Sequence, residues 1–111
     1  MRPLYHPSMK EITVQGILHA LSDPVRVRIF AQLVNASCAK NCSTFLNVNK
    51  TRVPKSTLSQ HFKILREAGL IRSERIGVEL QNHPRCAELQ KKFGPMIAAI
   101  LGAYQNEARR S

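Results

Sequence analysis

At 111 residues the chain is long enough for one domain with a modest core and too short for two. An apolar content of 43% is ordinary for a globular protein and excludes collagen-like and wholly disordered classes. Lysine and arginine number 17 against 7 aspartates and glutamates, giving +10. That excess calls for a polyanionic partner, with nucleic acid ahead of an acidic membrane surface.

The N-terminal MRPLYHPSMK has no apolar run of the kind a secretion leader needs, and Pro3 and Pro7 interrupt it. No apolar stretch approaches the roughly 18 residues that cross a bilayer. A cytoplasmic protein with no membrane partner is expected, its three cysteines reduced by default. Residues 1–9 read as a flexible or extended arm and residues 10–111 as a single domain. A first helix is predicted from about Lys10 to Leu21, with Val14, Ile17, Leu18 and Leu21 on one edge. Ser22-Asp23-Pro24 stops it and starts another: Asp23 can cap, and Pro24 suits a first helical position where its missing N–H costs nothing. The second helix should turn Val25, Ile29, Phe30 and Leu33 inward and leave Arg26 and Arg28 mostly outside. Asn35 to Thr51 is polar, with Phe45, Leu46 and Val48 as a short apolar patch, and reads as a loop plus a brief helix.

The stretch from Pro54 to Gln81 carries the strongest pattern. Leu58, Phe62 and Leu65 recur at i, i+4, i+7 with Ile64 and Ala68 beside them, which predicts a helix over about 54–68. Lys55, Ser56, Thr57, Ser59, Gln60 and Lys63 fall on its other side. Short hydrogen-bonding side chains and cations opposite a buried edge suit a DNA major groove. A hairpin over about 70–81 follows, turning at Ile76-Gly77, with Arg72 and Arg75 placed to touch phosphates. Asn82-His83-Pro84 then predicts a short helix from Arg85 to Phe93, and Gly94-Pro95 a break before a last helix over about 95–108. Ile97, Ile100, Leu101 and Tyr104 repeat at helical spacing there, so this helix either lies on the core or, with the first helix, pairs with a second copy.

LHALSDPVRVRIFAQL (Leu18 to Leu33) and STLSQHFKILREAGLIRSERIGVEL (Ser56 to Leu80) together resemble the ArsR/SmtB family of bacterial winged-helix repressors. The first looks like the family's Ala-Asp-Pro-x-Arg-x-x-Ile-Leu signature, the second like its reading helix and wing. The resemblance implies a mainly α fold with a small β-hairpin wing (α+β), dimeric through the first and last helices. It also implies a homodimer on the double-stranded DNA of a palindromic operator, let go when a metal, metalloid, oxidant or other small signal is sensed. Carried onto this chain, Ser56, Thr57, Ser59, Gln60 and His61 would face bases and phosphates. Lys55 and Lys63 would flank them on phosphates, and Arg72 and Arg75 would be wing contacts. The plainer alternatives are a local packing or polar contact for His61 and a solvated face for Ser59 and Gln60.

The family's metal sites have no match here. Ser43-Thr44-Phe45-Leu46 stands where a Cys-x-Cys-Asp-Leu cluster would be, and Met96 to Ala108 holds neither His nor Asp. No cofactor is required by the pattern. Cys38, Cys42 and Cys86 remain as candidate sensor thiols. Cys38 and Cys42, four apart, suit a reversible disulfide or two ligands of a soft metalloid. Cys86, in a helix's first turn beside Arg85, should favour the thiolate. With all three, As(III) or Sb(III) could be held. Small buried hydrophobes are the alternative for each, and His6, His19 and His83 are too scattered to suggest a nitrogen-ligand site. The functional expectation is a repressor released by a thiol-sensed oxidant, electrophile or trivalent metalloid. Its rival is a ligand-independent architectural or RNA-binding basic protein. An enzyme, such as a thiol oxidoreductase built on Cys38, is not expected: there is no Cys-x-x-Cys and no Gly-rich phosphate loop.

Overall fold

The computed structural model describes residues 4–36, 40–41 and 54–110, which form four helices and a three-stranded antiparallel sheet. Helix α1 spans Val14–Ala20, shorter than the spacing predicts. Its start is set by Thr13, whose hydroxyl accepts the Gly16 N–H at 3.0 Å. Ser8 to Glu11 instead closes a separate turn, with the Glu11 N–H donating to the Ser8 carbonyl at 2.9 Å. Ile17, Ala20 and Leu21 are buried, whereas Val14 and Leu18, expected on the same edge, stay 47% and 49% exposed.

Helix α2, Pro24–Ala36, begins where Asp23-Pro24 predicts. The Asp23 Oδ1 accepts the Val25 and Arg26 N–H groups at 2.8 and 3.2 Å. Ile29, Phe30 and Leu33 are buried as expected, with Val27 joining them. Arg26 and Arg28 correct the reading. Arg26 is only 8% exposed, and Arg28 is half-buried with its Nε donating to the Tyr104 hydroxyl at 3.1 Å. Strand β1, Lys40–Asn41, follows; the brief helix expected around Phe45, Leu46 and Val48 lies outside the described residues.

Helix α3, Lys55–Glu67, is the expected reading helix within a residue at either end. Leu58, Phe62 and Leu65 are almost fully buried, so the predicted stripe is the packed one. The helix ends at Gly69, whose φ of 87° is the left-handed conformation that a Cβ resists. The Gly69 N–H donates to the Arg66 carbonyl at 3.0 Å and the Leu70 N–H to the Leu65 carbonyl at 3.1 Å. This pair of bonds is a Schellman motif, and it turns the chain straight into β2, Ile71–Ile76. Gly77, at φ 64°, opens the two-residue Gly77-Val78 turn into β3, Glu79–Pro84. The wing is longer than predicted: Ile71 pairs with Pro84, so Asn82-His83-Pro84 is strand and not the start of a helix. Asn82 explains why, being wholly buried with its Oδ1 accepting the Ser73 hydroxyl at 2.7 Å. β1 adds to the free edge of β3, giving the order β1-β3-β2.

Helix α4 runs unbroken from Cys86 to Arg110, with Pro95 inside it. The predicted break at Gly94-Pro95 is therefore wrong. Proline removes one N–H and crowds the preceding turn, but Leu89, Phe93, Ile97, Ile100 and Tyr104 continue one stripe across it. That stripe packs on the core along its whole length, and its burial outweighs the local defect. The arm is also more ordered than expected. Among its described residues, the Pro7 carbonyl accepts from Arg85 Nη1 at 2.9 Å, and the Tyr5 hydroxyl donates to Glu11 at 2.8 Å. Among the described residues no helix is long and apolar enough to cross a membrane.

Candidate nucleic-acid interface

Because α3 buries Leu58, Phe62 and Leu65, its other side is committed to the outside. Ser56, Thr57, Ser59 and Gln60 are all exposed there, as are Lys55 and Lys63. A groove of about 570 Å³ opens between this helix and the wing. Lys55, Ser59, Lys63 and Arg66 line it from the helix, and Arg75, Val78, Glu79 and Leu80 from the hairpin, with Leu4 and Phe62 at its walls. Four cations face one carboxylate across it, so the field inside attracts an anionic chain. Pro54 gives the helix no side-chain cap, and its first turn holds no acid. Such an N-terminus is open to a phosphate oxygen.

The structure divides the expected contact residues. Lys55, Ser59, Lys63 and Arg75 gather on the groove, with Ser56, Thr57 and Gln60 exposed on the same helix. Arg72 sits apart from them, its Nη2 3.3 Å from Glu88 Oε1 in α4. His61 is half-buried, with Nδ1 3.3 Å from Arg26 Nη1.

Below the groove is a buried polar network. Arg66 Nε donates to the Ser73 hydroxyl at 2.9 Å, and Ser73 in turn donates to Asn82. The Ser73 N–H donates to His6 Nε2 at 3.0 Å, so the network ties α3, both wing strands and the arm together. Arg85, also buried, holds Glu88 through Nε at 3.1 Å and Nη2 at 2.7 Å. A satisfied network of this kind fixes the wing against the helix more tightly than apolar packing alone would.

Comparisons with known proteins fit this geometry. Residues 21–74 match the family described as a helix-turn-helix domain. The HTH-type transcriptional repressor SmtB of Mycobacterium tuberculosis is 41% identical over 64 residues, 58% of this chain and 44% of that protein. The chain thus spans under half the length of the curated relatives it matches. Among solved structures, an ArsR-like transcriptional regulator from a Rhodococcus species is 25% identical with a TM-score of 0.56, covering 86% of this chain and 82% of that one. The chain is a winged helix-turn-helix protein similar to ArsR-type and SmtB regulators. The fold extends to more distant structures. HlyU from Vibrio cholerae, 20% identical, superposes with a TM-score of 0.63 over 81% of this chain and 89% of its own. The transcriptional repressor BigR from Xylella fastidiosa, 22% identical, gives 0.61 over 82% and 85%.

Two arginines beside this interface, Arg26 and Arg66, are buried although the sequence reading did not place them in the core. Arg66 lies at i+4 from Phe62 and i+8 from Leu58, on the buried stripe, and Arg26 lies at i−4 from Phe30 and i−7 from Leu33. That spacing was the available signal, overridden because arginine is rarely buried. The candidate sensor thiols are only partly placed. Cys38 and Cys42 lie outside the described residues, while Cys86 is exposed at the start of α4. Arg85, expected to favour its thiolate, directs its guanidinium to Pro7 and Glu88 instead. Among the described residues no three of His, Cys, Asp and Glu gather as a metal would need.

Among the described residues, His6, His61 and Glu88 make stability depend on pH, and Glu11, held below its ordinary range by hydrogen bonds from Ser8 and Tyr5, adds to the acid side. Burial holds the His6 imidazole below its ordinary range, with the charges of Arg72, Arg66 and Arg85 adding and the Leu4 carbonyl opposing. Burial also lowers His61, Asp23 opposing and Arg26 adding. Hydrogen bonding to Arg85 brings Glu88 down to about 2, against the opposing effect of burial and with Arg72 assisting. For a base whose folded pKa is depressed, the unfolded chain takes up the proton first. The histidine contributions are therefore full above about pH 6.5 and decline as pH falls below it. The Glu88 contribution is full above its ordinary 4.5 and is lost as pH falls toward 2. Thermal midpoints measured from pH 7.5 to 3 should decline in two steps, the first beginning as pH falls below about 6.5 and the second below 4.5. A flat profile from 7 to 5 would show that the imidazoles are not held neutral by the fold.

Proposed function

We propose that this chain is a dimeric transcriptional repressor that binds double-stranded DNA, with α3 in the major groove and the wing along the adjacent phosphates. The observation that carries this reading is the joined surface of α3 and the wing. The helix's exposed hydroxyl and amide side chains border a groove with four cations and one acid. Ser56, Thr57, Ser59 and Gln60 supply donors and acceptors for base edges and phosphates, and Lys55, Lys63 and Arg75 supply phosphate contacts. Arg72, partly exposed beside Glu88, is an outer wing contact. Homodimerisation through α1 and α4 is supported by the exposed Val14 and Leu18 and by the half-exposed stripe of Ile97, Ile100, Leu101 and Tyr104. Two copies so joined would place two reading helices on successive half-sites of a palindrome.

Release belongs to the same reading. The accessible Cys86 adjoins Pro84 at the end of the wing and borders an apolar cleft of about 160 Å³ between α2 and α4. A thiol modified or bridged there, or a trivalent metalloid held by Cys86 with Cys38 and Cys42, would press on the joint between wing and α4. Replacing Cys38 and Cys42 together by Ser should leave DNA binding intact and abolish release by oxidant or arsenite, and retained release would rule out that pair.

The experiment that tests DNA recognition is selection from a randomised duplex pool, with the same pool presented as single-stranded RNA. Enrichment of an inverted repeat from the duplex alone is the expected result. Equal retention of RNA with no enriched sequence would replace it with a ligand-independent architectural or RNA-binding role.

A further inference from the structure

The Arg26 guanidinium is buried where α2 reaches both the end of α1 and α3. A cation in the first turn of a helix opposes the helix dipole, so its position in α2 needs other compensation. Nε donates to the Ala20 carbonyl at 2.7 Å and Nη2 to the His19 carbonyl at 3.2 Å, both at the end of α1 where carbonyls lack helical partners. Asp23 Oδ2 lies 4.0 Å from Nη1. The same Nη1 is 3.3 Å from His61 Nδ1 on the reading helix. Arginine has donors and no acceptor. His61 Nδ1 must therefore accept, and the ring proton must sit on Nε2.

We infer that Arg26 is a positioning residue for DNA recognition, holding His61 as the neutral Nε2–H form so that the reading helix offers one fixed N–H donor to an acceptor on DNA. The inference rests on the DNA-binding reading above. It deepens that reading by giving His61 a defined chemistry: a donor only, suited to a guanine N7 or O6 or to a phosphate oxygen, and unsuited to an amino group such as cytosine N4. It also explains why His61 can be half-buried yet stand beside exposed Thr57 and Gln60. One ring nitrogen anchors the side chain to Arg26 and the other is left for the ligand. Depression of the His61 pKa by burial and by Arg26 keeps the ring in that form at neutral pH.

Two readouts test this. In ¹⁵N-labelled free protein at pH 7.5, long-range proton–nitrogen correlation of the His61 ring should show the Nε2–H tautomer. Arg26→Lys, which keeps a charge but loses the planar fork, should convert it to a mixture. A wild-type Nδ1–H pattern would overturn the inference with no DNA present. The second readout uses the duplex that the wild-type protein selects. A glutamine amide N–H reaches about where imidazole Nε2 sits, and an asparagine amide about where Nδ1 sits. His61→Gln should bind within about threefold of wild type and His61→Asn roughly five- to tenfold more weakly, as loss of one hydrogen bond predicts. Thermal melts would show that both variants are folded. A uniform loss across sequences marks a phosphate acceptor, and a relaxed preference at one base pair marks a guanine. If the wild-type protein selects no duplex, the DNA-binding reading itself fails. If it does and His61→Asn binds as wild type, only the His61 assignment falls.

Discussion

Replacing Gly69 by alanine is expected to destabilise the fold by about 2–5 kcal/mol, a large share of the roughly 5–15 kcal/mol that holds a domain of this size together. Two costs add. The residue sits at φ 87°, where an L side chain is strained by about 1–2 kcal/mol. A Cβ there would also overlap the buried Ile12 side chain, an overpacking worth about 1–3 kcal/mol. The loss falls on the joint that sets the wing's angle to α3, because the Schellman bonds of Gly69 and Leu70 link the end of the helix to β2. Urea unfolding of Gly69→Ala measures it. Combining it with Ile12→Val should cost less than the two single losses summed, since trimming Ile12 relieves part of the overlap. A Gly69→Ala protein as stable as wild type would mean that the helix–wing joint is not built this way.

The second large effect concerns charge. Each phosphate neutralised by a lysine or arginine contributes about −0.9 to the slope of log affinity against log salt. In a dimer, Lys55, Lys63 and Arg75 would supply six such contacts, so wild-type affinity should fall roughly a thousandfold between 50 and 200 mM salt. Exchanging all three for glutamine should flatten that dependence by about 5 in slope and weaken binding at low salt to every duplex alike. Gln60→Ala should behave differently, relaxing preference at one base position at a cost of about 1–3 kcal/mol while leaving the salt slope unchanged. Fluorescence anisotropy across a salt series separates the two. A slope unaffected by the triple substitution would remove the groove from the phosphate path.

What could be read from sequence was what local spacing determines. Leu58, Phe62 and Leu65 announce α3, Asp23-Pro24 announces the start of α2, and Gly69 and Gly77 punctuate the helix end and the hairpin tip. Apart from the start of α1, which the local Thr13 cap sets, the misread elements share one cause: a distant partner overruled a local rule. Gly94-Pro95 has every mark of a helix break, yet the apolar stripe from Leu89 to Tyr104 carries α4 across it. Asn82-His83-Pro84 looks like a helix start, yet the Asn82–Ser73 bond keeps it in the sheet. Lys40-Asn41 carries no strand signal and becomes one by pairing with the edge of β3. The same holds for the site. Lys55, Ser59 and Lys63 were legible because exposure follows from the helix period, and Arg75 because it stands beside the Ile76-Gly77 turn. The roles of Arg26 and Arg66 were not, because a buried arginine is understood only through the carbonyls, hydroxyls and rings it meets across the fold.

The central claim is that one face, α3 with the wing tip, takes up duplex DNA. Amide NMR of the ¹⁵N-labelled protein titrated with a 20-base-pair duplex tests it directly. Shifts should concentrate at Lys55, Ser56, Thr57, Ser59, Gln60 and Lys63 and around Arg75 to Leu80, with Met96 to Glu107 of α4 unmoved. Shifts centred on α4 or spread evenly over the basic surface would contradict it.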